Sequence, residues 1–171
     1  MEVNEAIRTK RAVRQFADKA VPDNAMEAIL NAGRRSPTAS NKQYLTFIAI
    51  KDKGVQAQIA TTAPGAKHLG NAAFVVAIAS SDVGLGADIV HFDIGQAAAY
   101  MMLEAWEQSV SSNVALMRDA ERAKAALHLP DGVTSEWAIS FGYPAQEEAA
   151  TAPPKAGGRK SLDEVIKWNS W

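Results

Sequence analysis

The chain has 171 residues, and 18 Lys+Arg against 19 Asp+Glu leave a formal net charge of −1. That length buries a substantial core without staples, and zero cysteines exclude disulfides, thiolate metal sites and a cysteine nucleophile. Near-neutral charge and three histidines argue against a nucleic-acid binder or a multi-histidine metal site, and the longest apolar run, Ala72 to Ala79, is far short of a membrane span. The start of the chain carries Glu2, Glu5 and Arg8 rather than an apolar leader, so the expectation is one cytoplasmic domain over residues 1–171. Alanine supplies 33 positions, so close approach of elements must matter as much as bulky packing.

In chain order, Val3, Ala6 and Ile7 predict a short first helix. Val21-Pro22-Asp23 opens a second, where Met26, Ile29, Leu30 and Gly33 follow the i, i+3, i+4, i+7 spacing of one buried face. Ser36-Pro37 ends it, because the residue before proline is pushed out of the helical region. Leu45 to Ile50 reads as a strand closed by Asp52-Lys53-Gly54, followed by a weak helix around Val55 to Ile59. Ala73 to Ala79 reads as a strand covered on both faces. Asp88 to Gln108 has the composition of a long helix, with Gly95 and Ala98 expected on one close-packing face. A strand through Val114 to Met117, a charged helix over Arg118 to Leu127 and a strand over Trp137 to Phe141 follow. Residues 145–160 form a linker-like arm rich in Pro, Gly and Ala, and 161–171 a C-terminal segment. There the Ser161–Glu164 capping box starts a last helix through Val165, Ile166 and Trp168. Helices and strands alternate without a regular βαβ period, which predicts a three-layer α+β domain with a mixed sheet. Most of the four tryptophans are expected in the core.

Chemistry is sparse in this pattern. Arg8, Lys10, Arg11 and Arg14 place four cations in seven residues with no acid between them. A solvated helix end explains them, and so does a bound anion such as phosphate, which arginine forks match bidentately. A second cationic patch is Lys155, Arg159 and Lys160. The polar stretch Ser36 to Gln43 reads either as a helix-to-strand connection or as a loop that hydrogen-bonds a heterocycle edge. No nucleophile elbow, HExxH, P-loop or GxGxxG is present, and His91 reads as packed or capping. Anion sites without a proton-transfer set point to a cofactor that carries the chemistry.

The order of these pieces resembles a family. Lys10-Arg11-Ala12-Val13-Arg14-Gln15-Phe16 resembles the basic opening motif of the flavin-dependent nitroreductases. Pro37-Thr38-Ala39-Ser40-Asn41-Lys42-Gln43 is similar to their P-S-x-x-N-x-Q loop, and Asp93-Ile94-Gly95-Gln96-Ala97 to the start of their central helix. Phe141-Gly142-Tyr143-Pro144 resembles their late G-Y-P turn, and Arg159 to Val165 their closing motif. Five motifs in the right order, from residue 10 to residue 165, identify the chain as a small member of the nitroreductase family. The resemblance implies a three-layer fold with a mixed, mostly antiparallel central sheet flanked by helices, in an intertwined homodimer with FMN at the subunit interface.

By the same resemblance, Lys10, Arg11 and Arg14, with Arg159 or Lys160, hold the FMN phosphate and ribityl chain. Ala12 contacts the cofactor through its backbone; Pro37, Thr38, Ala39 and Asn41 reach the isoalloxazine from the opposite subunit; Lys67 faces the N1–O2 edge. No catalytic side chain and no metal ligand is expected. The implied activity is hydride transfer from NAD(P)H through the flavin to a small electron acceptor, a nitroaromatic, quinone or similar electrophile. The alternative is a flavin-binding protein with little turnover, for storage or sensing. It is motivated by Ser109-Val110-Ser111-Ser112, which stands where the family has Gly-Leu-Gly.

Overall fold

An apolar run with no polar alternate position is stable only in a sheet covered on both faces. In the computed structural model, which describes residues 1–81, 83–153 and 158–171, Phe74–Ser81 takes that place. The four strands are β1 (Leu45–Ile50), β2 (Phe74–Ser81), β3 (Ser111–Leu116) and β4 (Val133–Gly142), in the order β1-β2-β4-β3. All three pairings are antiparallel; Ala49 faces Val76, Val76 faces Ile139, and Ile139 faces Val114.

The period of two sorts the core into two layers. Val75, Ala77 and Ala138 point to one face, packed with Ile59 of α3 (Lys53–Ala60), Ala123 of α5 (Ala120–Leu127), and Ala66 and Leu69 of a 3-10 segment, Pro64–Asn71. Phe74, Val76, Ile78, Ile139 and Phe141 point to the other, against Ile29 of α2 (Asp23–Arg34) and Ile94, Ala98 and Met101 of α4 (Ala87–Glu107). Phe74 and Phe141 stack there with ring centroids 4.8 Å apart. Helices α2 and α4 cross closely: a Cβ on Gly33 would lie 2.8 Å from Met101 Sδ. A short α1 (Val3–Thr9) is held to the end of α4 by Trp106 Nε1, which donates to Thr9 Oγ1 at 2.9 Å. The expected α+β class and three layers are present; the sheet, expected to be mixed and mostly antiparallel, is antiparallel at all three pairings of the described strands.

Several local expectations are corrected. Asp52 does not simply close β1; its side chain accepts from Val55 N and starts α3. Strand β3 begins at Ser111 rather than Val114, and β4 at Val133 rather than Trp137. The last helix, α7 (Leu162–Val165), has the expected capping box but stops where Ile166 turns extended. A short α6 (Glu148–Thr151) lies in the arm. Within one chain Ala98 is in the core, while Gly95 is exposed and a Cβ there would meet nothing within 4 Å. Two of the four tryptophans are outside the core, Trp168 and Trp171 being 84% and 105% exposed.

Candidate functional site

The basic segment after α1 is held by its main chain. Ala12 bridges Ser112 in parallel and Val13 N donates to Ser112 O at 3.2 Å. Further on, Ala17 N donates to Tyr143 O and Ala145 N to Gln15 O, both at 2.9 Å. Gly142 permits this docking, because a Cβ there would sit 2.9 Å from the Phe16 ring and 3.2 Å from Ala73 N. With the backbone spent on the sheet, the side chains of Lys10, Ala12 and Arg14 are left to face other groups.

Lys10 is half-buried, yet its ammonium has only Met102 Sδ at 3.5 Å. Burial, and then the neighbouring Arg14 charge, push its pKa below the ordinary lysine value. No acid compensates either cation among the described residues. A cation taken partly out of water without a counter-charge is costly, and an anion placed there removes that cost. On the strand that Ala12 bridges, the buried Ser112 Oγ has no hydrogen-bond partner among the described residues. The donor set therefore fits a phosphate.

Arg11 is used differently. Its Nε donates to Ala152 O at 2.9 Å, and its Nη1 to the carbonyls of Arg8, Thr9 and Lys10 at 3.0, 2.9 and 3.1 Å. It closes the C-terminal end of α1 and ties the arm to the basic segment. Arg159 and Lys160 are exposed and have no partner among the described residues, while Lys155 lies outside the described residues.

The second cluster is the loop before β1. Residues Ala39–Asn41 form a 3-10 turn, and Ser40, Asn41 and Gln43 take φ near +50°, a region that side chains with a Cβ disfavour. Hydrogen bonds hold it there. Gln43 N donates to Thr38 Oγ1 at 2.9 Å, and Ala39 N donates to Asp93 Oδ2 at 2.8 Å. Asp93, buried in α4, also accepts from Tyr44 Oη at 2.6 Å. Burial, that hydrogen bond and the Asp93 charge push the Tyr44 pKa up to about 12, so Tyr44 stays a donor. Ala39 thus has its N–H committed to Asp93. Pro37 and Asn41 are exposed, and the Asn41 amide has no partner among the described residues, which leaves it open to a ligand.

Lys67 is exposed on the Pro64–Asn71 segment. Its neighbour His68 is buried, with hydrogen bonds at both ring nitrogens. His91 is not packed in the core; it pairs with Glu136 at 3.1 Å. Along α4, the Asp93 anchor and the Lys10 contact at Met102 are nine residues apart, about 13.5 Å of helix. One chain therefore presents the loop and the cations at separate stations. Sequence reasoning missed Asp93 and His68 as parts of the site. Asp93 had a signal: it lies at i, i+4, i+8 with the buried Ala97 and Met101, a carboxylate on a core stripe.

Fold and site together define an α+β protein with an uncompensated cation pocket beside a carboxylate-anchored polar loop. Residues 7–64 match the model of the Nitroreductase family. The chain is 26% identical over 149 residues to an Archaeoglobus fulgidus protein provisionally named an NADH dehydrogenase/NAD(P)H nitroreductase, covering 83% of this chain and 85% of that one. Among solved structures it is similar to an FMN-dependent nitroreductase from Clostridium difficile, with TM-score 0.84, 19% identity, and 99% and 100% of the two chains covered. The NADPH:FMN oxidoreductase of Vibrio harveyi gives TM-score 0.85 at 18% identity, over 98% of this chain and 77% of that one. The likeness to the Nitroreductase family is one of sequence over residues 7–64, and the fold is shared with these solved structures over nearly the whole chain. No helix among the described residues is long and apolar enough to cross a membrane.

Proposed function

We propose that this chain binds FMN and is an NAD(P)H-dependent oxidoreductase that reduces a small electrophile, a nitroaromatic, quinone or similar acceptor. The observation that carries this reading is the half-buried Lys10 ammonium, beside Arg14, with no acid paired to it among the described residues. Lys10 and Arg14 would hold the phosphate, with Arg159 or Lys160 closing over it from the arm. The Ala12 main chain would line the site, Asn41, Thr38 and Pro37 would meet the ring, and Lys67 its N1–O2 edge. When bound, FMN supplies acceptance of hydride from NAD(P)H and its delivery to the acceptor. The chain's part is to fix the anion, orient the ring and place positive charge where negative charge develops. None of the three histidines serves a proton-transfer role in this reading: His68 has both nitrogens engaged, His91 pairs with Glu136, and His128 ends α5 in the left-handed region.

The site is shared between two copies in this reading. Phe92 on α4 and Leu162, Trp168 and Trp171 in the C-terminal segment are exposed, and a second chain would bury them. The loop of one copy would then complete the cation pocket of the other.

Titration with FMN and with riboflavin tests the binding. FMN is expected to bind at least about tenfold tighter, since a charge-assisted hydrogen bond contributes about 1.5–3 kcal/mol. Equal affinities would remove the phosphate assignment. Oxidation of NADH or NADPH by the loaded protein then separates an enzyme from a binder.

A further inference from the structure

Beneath the basic segment, on the face that α3 and α5 cover, lies a closed ring of buried polar side chains. His68 Nδ1 is 2.7 Å from Ser140 Oγ, and Asn113 Nδ2 is 2.8 Å from His68 Nε2. Ser140 Oγ donates to the Asn113 carbonyl at 3.2 Å. All three residues are buried. Where Ser140 spends its hydrogen on the Asn113 carbonyl, it accepts from His68 and Nδ1 is the protonated nitrogen. Nε2 then accepts from the Asn113 amide. The ring is therefore built around a neutral imidazole. Burial, and then the Arg14 charge, hold His68 below the ordinary histidine value, against a smaller opposing effect of the Val114 backbone.

Two members of the ring adjoin, in sequence, residues tied to the proposed cofactor site. His68 follows Lys67 in the 3-10 segment. Asn113 follows Ser112, whose main chain docks Ala12 and Val13. Asn113 and Ser140 are register partners, so the ring also spans β3 and β4. The Lys67 side chain has no partner of its own among the described residues, so its place depends on the backbone that carries it.

We propose that His68 is a positioning residue for Lys67: its neutral imidazole staples the 64–71 segment to β3 and β4, and thereby fixes the Lys67 ammonium relative to the basic segment. This rests on the FMN reading above. A ring that only satisfies buried polar groups would stabilise the fold without coupling to Lys67.

The test is a double-mutant cycle read as FMN affinity by fluorescence titration. Lys67→Met is expected to weaken binding about tenfold in the native background, the scale of one charge-assisted hydrogen bond. In His68→Leu the same change is expected to cost less than about twofold, because Lys67 is already displaced. In His68→Gln the full effect should return, since glutamine offers one donor and one acceptor across a similar reach. Should His68→Leu fail to fold, Ser140→Ala takes its place by removing the Nδ1 acceptor alone. Nitrogen NMR of the imidazole should show Nδ1 protonated and Nε2 bare. An equal cost of Lys67→Met in every background overturns the proposal, as does a Lys67→Met protein that binds FMN normally. A native protein that takes up no FMN overturns the proposed function and this inference together.

Discussion

Residues 12–17 and residues 38–44 both border the proposed cofactor, and they are held in opposite ways. The first segment is fixed by main-chain hydrogen bonds to β3 and the Tyr143–Ala145 turn. The second contains three left-handed residues and depends on one buried side chain, Asp93, together with a Thr38 cap. Main-chain docking leaves side chains replaceable, which is how alanine stands at position 12, on a segment that still lies on the sheet. Side-chain anchoring concentrates the dependence on a single carboxylate.

The largest expected effect follows from that concentration. Asp93→Ala should lower unfolding free energy by about 3 kcal/mol or more, since the hydrogen bonds from Ala39 N, Tyr44 Oη and Gln96 Nε2 to a charged group are lost, the first two at about 1.5–3 kcal/mol each. It also leaves the Tyr44 hydroxyl buried and unpaired. Urea denaturation measures the loss. A change under about 1 kcal/mol would show that the loop is held by its own turn chemistry, and the contrast would collapse.

Lys10→Met should act in the other direction. Removing a half-buried, uncompensated cation is expected to leave stability unchanged or raise it by up to about 1 kcal/mol, while FMN binding weakens about tenfold or more. Paired denaturation and FMN titration read both quantities. Destabilisation would mean that the ammonium is part of the scaffold rather than part of the site.

The smallest effect is in pH. The folded state holds His68 below its ordinary value of 6.5, with Arg14 the charged group acting on it and Ser140 and Asn113 its neutral partners. Below pH 6.5 the unfolded chain therefore binds the proton that the folded chain refuses. The stability from this residue is fully present above pH 6.5 and is lost as pH falls toward the folded value, with a slope of at most about 1.4 kcal/mol per unit. Thermal denaturation from pH 7 to pH 5 should show a steeper decline in the native protein than in His68→Gln. Parallel declines would place the sensitivity on other groups.

What the sequence made legible follows from the same division. Strands β1 and β2 announce themselves because their apolar side chains fill the core directly. The start of β3 does not, because Ser111, Ser112 and Asn113 are polar and buried. The Asn113 side-chain amide meets His68, on a segment more than forty residues earlier, which no local pattern reveals. The 3-10 segment Pro64–Asn71 likewise has neither helical nor strand periodicity. The cation cluster was visible as composition, but its meaning needed the third dimension. Arg11 is drawn off to main-chain carbonyls, and Lys10 is left without an acid among the described residues. Trp168 and Trp171 were misplaced because apolar character alone does not say whose core a residue fills.

The main-chain docking of residues 12–17 also fixes an order of events. Ala12 finds its bridge a hundred residues downstream at Ser112, and Phe16 finds its own at Pro144. Contacts of such long sequence separation carry a large loop-closure cost and form only after the partners that receive them exist. During synthesis, α1 waits for the end of α4, Ala12 for β3, and Phe16 for the turn after β4, so the basic segment docks in steps from its N-terminal end. A pocket wall read off residues 12–17 is thus assembled only when strands a hundred residues away are in place.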